Sequence, residues 1–399
     1  MNYFIVFLGQ SSSKLLMFLV YLLLPALISV EEYGVFSYSL SLCFIFSQPF
    51  IEFGLDPIVT KYVSRGKYQI INNAFLLRGK TTIIGIIVLF ISALIFDAQF
   101  GIIAIISTYI IFFSFSNLIF AYFRGREKFI YESLLLPLFK ASIIILILVF
   151  SKLILINDRY TGAIPFAISS LLLFISALIF FLKEYKTESD KDDKRIIEGI
   201  SILKEGGFLF FSTLMWMIYF RIDSVMLGIM TDASDVGIYS LSYRLYEGSV
   251  IVPSAIMIVI FPKISYINKV DLQNYFHKGI VILFILSIFT FLALFFLGEI
   301  IIKHLYDIDF SQSIGVLKIL SFSIFAVFPA HLSTQLLIAR DKGILFLIVA
   351  IFGALLNICL NYCLIPEMRS MGAAFATVAT EIMVLLISLG LSEWIIKRG

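Results

Sequence analysis

The feature that most constrains this chain is a succession of apolar runs. Each is long enough to cross a lipid bilayer, which takes about 20 residues as an α-helix. Measured by that length, the sequence predicts helices near 8–28, 34–57, 75–96, 100–122, 133–151, 161–182, 206–230, 236–262, 279–298, 311–338, 344–365 and 372–395. Composition supports a lipid surround: 60% of the 399 residues are hydrophobic and 14% are charged. A soluble chain carries about 25% charged residues. The expected fold is therefore an all-α integral membrane protein of about twelve transmembrane helices. No basic segment or small-residue cleavage site opens the chain, so its first apolar run reads as a retained helix.

Loop charges set an orientation. Cations gather in every second connection: Lys61, Arg65, Lys67, Arg78 and Lys80; then Arg124, Arg126 and Lys128; then Lys183, Lys186, Lys191, Lys194, Arg195 and Lys204; then Lys263, Lys269 and Lys278; then Arg340 and Lys342. Lys397 and Arg398 follow in the tail, whereas the alternate connections hold only Lys152, Arg159, Lys303 and Arg369. Cytoplasmic loops carry the Lys/Arg excess, so both termini are expected in the cytoplasm.

The longest polar stretch, Lys183–Lys204, divides six predicted helices from six. This gives an N-terminal bundle over 1–183, a cytoplasmic linker over 184–205 and a C-terminal bundle over 206–399. The halves echo each other. Glu32-Tyr-Gly34-Val-Phe-Ser37 resembles Asp235-Val-Gly237-Ile-Tyr-Ser240, Arg126-Glu-Lys128 resembles Arg340-Asp-Lys342, and Gly162-Ala-Ile164 resembles Gly372-Ala-Ala374. All three recur in order, roughly 210 residues further on, as a duplication predicts. Two repeats of six helices point the same way through the membrane, giving a pseudo-twofold axis along its normal and a central cavity suited to alternating access. Pro25, Pro137, Pro253 and Pro329 would permit bending.

Five cations remain outside those connections, all within predicted helices: Lys14, Lys140, Arg221, Arg244 and Lys318. Placing Arg or Lys at a helix centre costs roughly 2.5–3.5 kcal/mol unless water, a partner or an anion meets it. Snorkelling would explain the lysines, each about two turns from an expected helix end. Arg221 lies deeper. Acids occur there too: Glu52, Asp56, Asp223, Glu247 and Glu381. Arg244 and Glu247, three apart, share a helix face and can pair. Arg221 and Asp223, two apart, cannot. A carboxylate near a helix midpoint, as at Glu381, suits a proton- or sodium-coupled step or a hydrogen bond to another helix. His331 with Gln335, and Asn357 with Asn361, share faces at a spacing that glues membrane helices.

Enzymatic signatures fail. Ala74–Thr81 fits a relaxed phosphate-loop pattern but lacks a preceding strand. Cys359 and Cys363 sit one turn apart without further ligands, so no metal site is expected, and no HExxH is present. Short extracytoplasmic loops leave no room for a polymerase or acyltransferase site. The chain reads as a transporter without a cofactor, and nothing points to nucleic acid.

At Arg221-Ile-Asp223-Ser-Val-Met-Leu-Gly228, with Asp235-Val-Gly237-Ile-Tyr239-Ser-Leu-Ser-Tyr-Arg244-Leu245, the sequence resembles the Wzx-type O-antigen flippases. These are polysaccharide transporters of the multidrug/oligosaccharidyl-lipid/polysaccharide exporter superfamily. Glu32-Tyr33-Gly34-Val-Phe36, Phe53-Gly54-Leu55, Arg124-Gly-Arg126-Glu-Lys128 and Gly372-Ala-Ala-Phe-Ala376 extend the likeness over nearly the whole chain. The resemblance implies a bacterial inner-membrane flippase that moves an undecaprenyl-pyrophosphate-linked oligosaccharide between leaflets. Its partners would be membrane lipids and the polysaccharide polymerase machinery. On that reading Arg221 and Arg244, helped by Lys14, Lys140 and Lys318, hold the pyrophosphate. Asp223, Glu247, Glu381, Glu52 and Asp56 pair charges or couple H+ or Na+. A drug/cation antiporter of the same superfamily, a lipid II flippase and a membrane-bound glycan polymerase or acyltransferase are the alternatives.

Overall fold

A computed structural model describes residues 3–152, 158–186 and 199–398. Of the expected linker over 184–205, residues 187–198, with Lys191, Lys194 and Arg195, lie outside them. The described residues are helical throughout, without a strand.

The helices are α1 (Tyr3–Leu23), α2 (Val30–Phe46), α3 (Gln48–Glu52), α4 (Leu55–Val63), α5 (Ile70–Ile95), α6 (Phe100–Gly125), α7 (Ile130–Lys152), α8 (Asp158–Thr161) and α9 (Ala163–Lys186). They continue with α10 (Gly199–Met230), α11 (Ala233–Ser249), α12 (Ile251–Tyr266), α13 (Lys269–Leu292), α14 (Gly298–Leu305), α15 (Ser313–Ser321), α16 (Ile324–Ala339) and α17 (Gly343–Arg398). Among the described residues nine stretches are long and apolar enough to span a membrane, or ten if the bent pair Ile308–Ser321 and Ile324–Ala339 is one span. The chain is thus a multi-pass membrane protein. The difference from twelve has two sources. Charged residues such as Arg244 and Glu247 interrupt the apolar run through α11, and α17 joins two helices across a break at Arg369.

The second predicted helix, 34–57, is not continuous. It forms α2, α3 and α4, with Phe53 at φ 44° and Gly54 at φ 65° between the last two. Left-handed backbone suits Gly and costs other residues. Pro25 ends α1 in a short 3₁₀ turn, and Pro253 occupies the first turn of α12, where its missing N–H leaves no helical bond unmade. Asp232 and Asn268 cap α11 and α13, each accepting a backbone N–H at 3.0 Å.

The chain folds as two compact units: Met1–Ile28 with Val35–Met217, and Ser29–Gly34 with Ile218–Gly399. In the first, α6 packs on α9, α1 on α7 and α4 on α6. Its core is aromatic, with Phe166 against Phe36 and Tyr109, and Phe181 against Tyr122. In the second, α16 packs on α17 and α13, and α11 on α15. Ala330, Leu337, Val349, Val384 and Ile395 cluster there with Tyr219 packed against them. Within this unit the two echoing segments touch. A Cβ on Gly34 would collide with the Ala233 carbonyl, and one on Gly237 with that of Val30. Outside the cores, α5 exposes Ile83, Ile84, Ile87, Phe90, Ile91 and Leu94. That apolar strip is a lipid face.

Candidate functional site

In the second unit, α10 carries Arg221 and Asp223 on different faces, as their spacing requires. Asp223 is buried. Its carboxylate accepts hydrogen bonds from the Tyr239 hydroxyl at 2.7 Å, Thr377 Oγ1 at 3.2 Å and Asn361 Nδ2. Asn361 also donates to Asn357 Oδ1 at 2.8 Å. The Tyr239 and Thr377 hydroxyls are 3.1 Å apart. No Lys or Arg pairs with Asp223 among the described residues. A buried carboxylate met only by neutral groups is costly, and a proton or bound cation would relieve it. Asn361 Oδ1 and Thr380 Oγ1, both buried, have no hydrogen-bond partner among the described residues.

Arg221 turns instead to Glu247, donating to Oε1 at 3.3 Å, while Arg244 donates to Oε2 at 2.7 Å. The expected Arg244–Glu247 pair is present, and Arg221 makes it a triad of two cations on one acid. Both arginines are largely buried, and Glu247 is more open. Glu381 is buried against the Tyr219 hydroxyl. Lys318 stands apart from these groups, bonded to Glu299, which also binds Lys303 at 2.6 Å. His331 lies 3.4 Å from Ser254, joining α16 to α12.

In the first unit, Lys140 of α7 donates to Ser13 of α1 at 2.7 Å, and Lys14 adjoins it on the exposed side. Neither lysine has a carboxylate partner among the described residues. Snorkelling loses force here, because α1 and α7 begin earlier than predicted. Each lysine lies roughly 13–18 Å from either end of its helix, at 1.5 Å per residue.

Arg78 corrects the sequence reading. It is not a loop cation: α5 starts at Ile70, so Arg78 lies two turns inside it, fully buried. It donates to Asp56 at 2.5 Å and to the Ser114 carbonyl at 2.9 Å. Glu52, one turn before Asp56, accepts from Gln48 at 2.8 Å. A correctly placed helix start would have exposed Arg78 as an intramembrane cation with two acids to meet. Tyr239 and Thr377 around Asp223, and Glu299 beside Lys318, carried no local signal. The phosphate-loop-like segment lies within α5. No group of three or more potential metal ligands occurs among the described residues.

The sequence pattern of the polysaccharide biosynthesis proteins matches residues 1–268. The chain belongs to that family. The MatE pattern matches residues 209–363, which places the family in the expected exporter superfamily. A curated relative is the probable flippase AglR of Haloferax volcanii, 27% identical over 185 residues. That match covers 45% of this chain and 39% of the relative, so the chain matches under half of that relative's length. Among solved structures, lipid II flippase MurJ in an inward closed conformation superposes with TM-score 0.70 at 16% identity, covering 97% of this chain and 87% of that one. The MATE multidrug transporter DinF-BH gives 0.67 at 16%, covering 98% and 95%. At such identities these structures establish a shared fold.

Proposed function

We propose that this family member is a flippase for a polyprenyl-diphosphate-linked oligosaccharide, such as an undecaprenyl-pyrophosphate O-antigen repeat unit. It moves its substrate between leaflets of the inner membrane by alternating access, with both termini in the cytoplasm. It is a carrier and not an enzyme.

One observation supports the substrate class: several intramembrane cations lack an acid of their own. Among the described residues Lys14 and Lys140 have no carboxylate, and Arg221 and Arg244 both bind Glu247. A drug-cation exporter needs the opposite sign. Charge-assisted contacts from Lys and Arg to phosphate are among the stronger polar contacts, so these under-neutralised cations suit a diphosphate cargo. Family membership and the flippase names among the relatives support the same reading.

Coupling is assigned to Asp223, whose ring of neutral donors can accommodate a proton or a sodium ion, with Glu381 as a second buried acid on the same unit. The experiment is transport of lipid-linked oligosaccharide in proteoliposomes under imposed H+ or Na+ gradients. The wild type responds to one gradient, and Asp223→Asn, nearly isosteric, loses that response at normal protein level. A wild type indifferent to both gradients contradicts the coupling assignment.

A further inference from the structure

We propose that Lys14 and Lys140, with Ser13 between them, form a diphosphate-binding clasp within the first unit. The inference deepens the flippase reading and rests on it.

Among Lys14, Arg78, Lys140, Arg221, Arg244 and Lys318, the two lysines of α1 and α7 differ in having no acid among the described residues. Arg221 and Arg244 are partly neutralised by Glu247, Lys318 by Glu299 and Arg78 by Asp56. The lysines also sit close together. Lys140 Nζ lies 2.7 Å from Ser13 Oγ, and Lys14 follows Ser13 on the same helix. Two like charges beside each other near the middle of two packed membrane helices are unfavourable unless an anion joins them.

The helix crossing fixes this arrangement. Gly9 of α1 lies directly against the backbone of Ser133 on α7, where a Cβ would have no room. Ser13, one turn on, therefore meets Lys140. Ser11, Ser12 and Lys14 remain exposed along α1. Phe7, Leu8, Leu15 and Leu19 are exposed on the same side, so these hydroxyls and one ammonium break an otherwise apolar surface and suit the anionic end of a lipid.

Two adjacent ammonium groups match an anion with two adjacent centres of charge. Ammonium donors rotate and hold phosphate as point charges, whereas guanidinium clamps a planar pair of oxygens. A group that must be gripped and then released suits the former.

The test is binding of farnesyl diphosphate to the purified full chain in detergent, compared with farnesyl monophosphate, inorganic pyrophosphate and phosphatidylglycerol. The wild type prefers the farnesyl diphosphate at least tenfold over the monophosphate. Lys14→Gln and Lys140→Gln each weaken its binding about tenfold, the double variant erases the preference, and Lys→Arg at either position largely restores it. Melting temperature checks the fold of each variant, and the arginine variants keep the comparison valid where glutamine destabilises. If the double glutamine variant binds the diphosphate as the wild type does, the clasp is wrong while the flippase reading stands. A wild type that binds phosphatidylglycerol equally well makes the lysines a bulk-lipid contact and overturns the clasp. A wild type that binds no polyprenyl diphosphate overturns both.

Discussion

Residue by residue, the charges inside the helices sort by the company they keep. Arg78, fully buried, pairs with the part-buried Asp56 and is further bonded to Ser114. Removing one member of such a pair leaves a buried charge unmet, at a cost of about 3–5 kcal/mol, while removing both is much less harmful. Arg78→Met alone is expected to lower the melting temperature in detergent sharply, and Arg78→Met with Asp56→Leu to recover most of the loss. Additive losses would show that the two side chains do not act as a pair. Arg244 with Glu247 was legible because three residues along a helix is one face. Asp223 and Glu381 were legible as misplaced acids, but not their partners. Asn361 and Thr377 reach Asp223 from far along the chain, and only folding brings them together. Arg78 was hidden because it fell only three residues inside the predicted helix start and was counted with the preceding loop; helix starts are the least determined quantity in a helix pattern.

For the elements, the apolar runs located most helices because bilayer thickness fixes their length. Breaks were harder. The fracture between α3 and α4 depends on Phe53 and Gly54 both adopting left-handed backbone, and hydropathy does not register φ. The charge of Arg369 marks a loop, yet the helix resumes at once beyond the break in α17. Arg369 binds Asp232 and Asp235 at 3.0 Å each, fastening that break to the start of α11. The echo of Glu32–Ser37 in Asp235–Ser240, found as a duplication signal, marks a place where Gly34 meets Ala233 and Gly237 meets Val30. Only glycine permits backbones to approach so closely. Gly237→Val or Gly34→Val is expected to destabilise the second unit by about 1–3 kcal/mol, read as a fall in melting temperature. An unchanged melting temperature for both would mean that the two segments are not packed together.

At the scale of the whole molecule, composition and loop charge pointed to a membrane protein with a strong sidedness, and the family match agrees with the class of carrier those features suggested. Moving Arg78 and Lys80 into α5 removes two cations from the second connection without reversing the bias there, since Arg65, Lys67 and Lys61 in the last turn of α4 remain. What the sequence could not supply was the balance of each internal charge, because neutralising partners are set by packing. The proposal of an anionic lipid cargo over a cationic drug rests on which of the internal cations lack an acid. The most direct measurement is transbilayer movement in proteoliposomes of a polyprenyl-diphosphate oligosaccharide, read by its accessibility to an external glycosidase, beside uptake of a lipophilic cationic dye. The account predicts rapid movement of the glycolipid and none of the dye. Transport of the dye with the glycolipid left in place would contradict it.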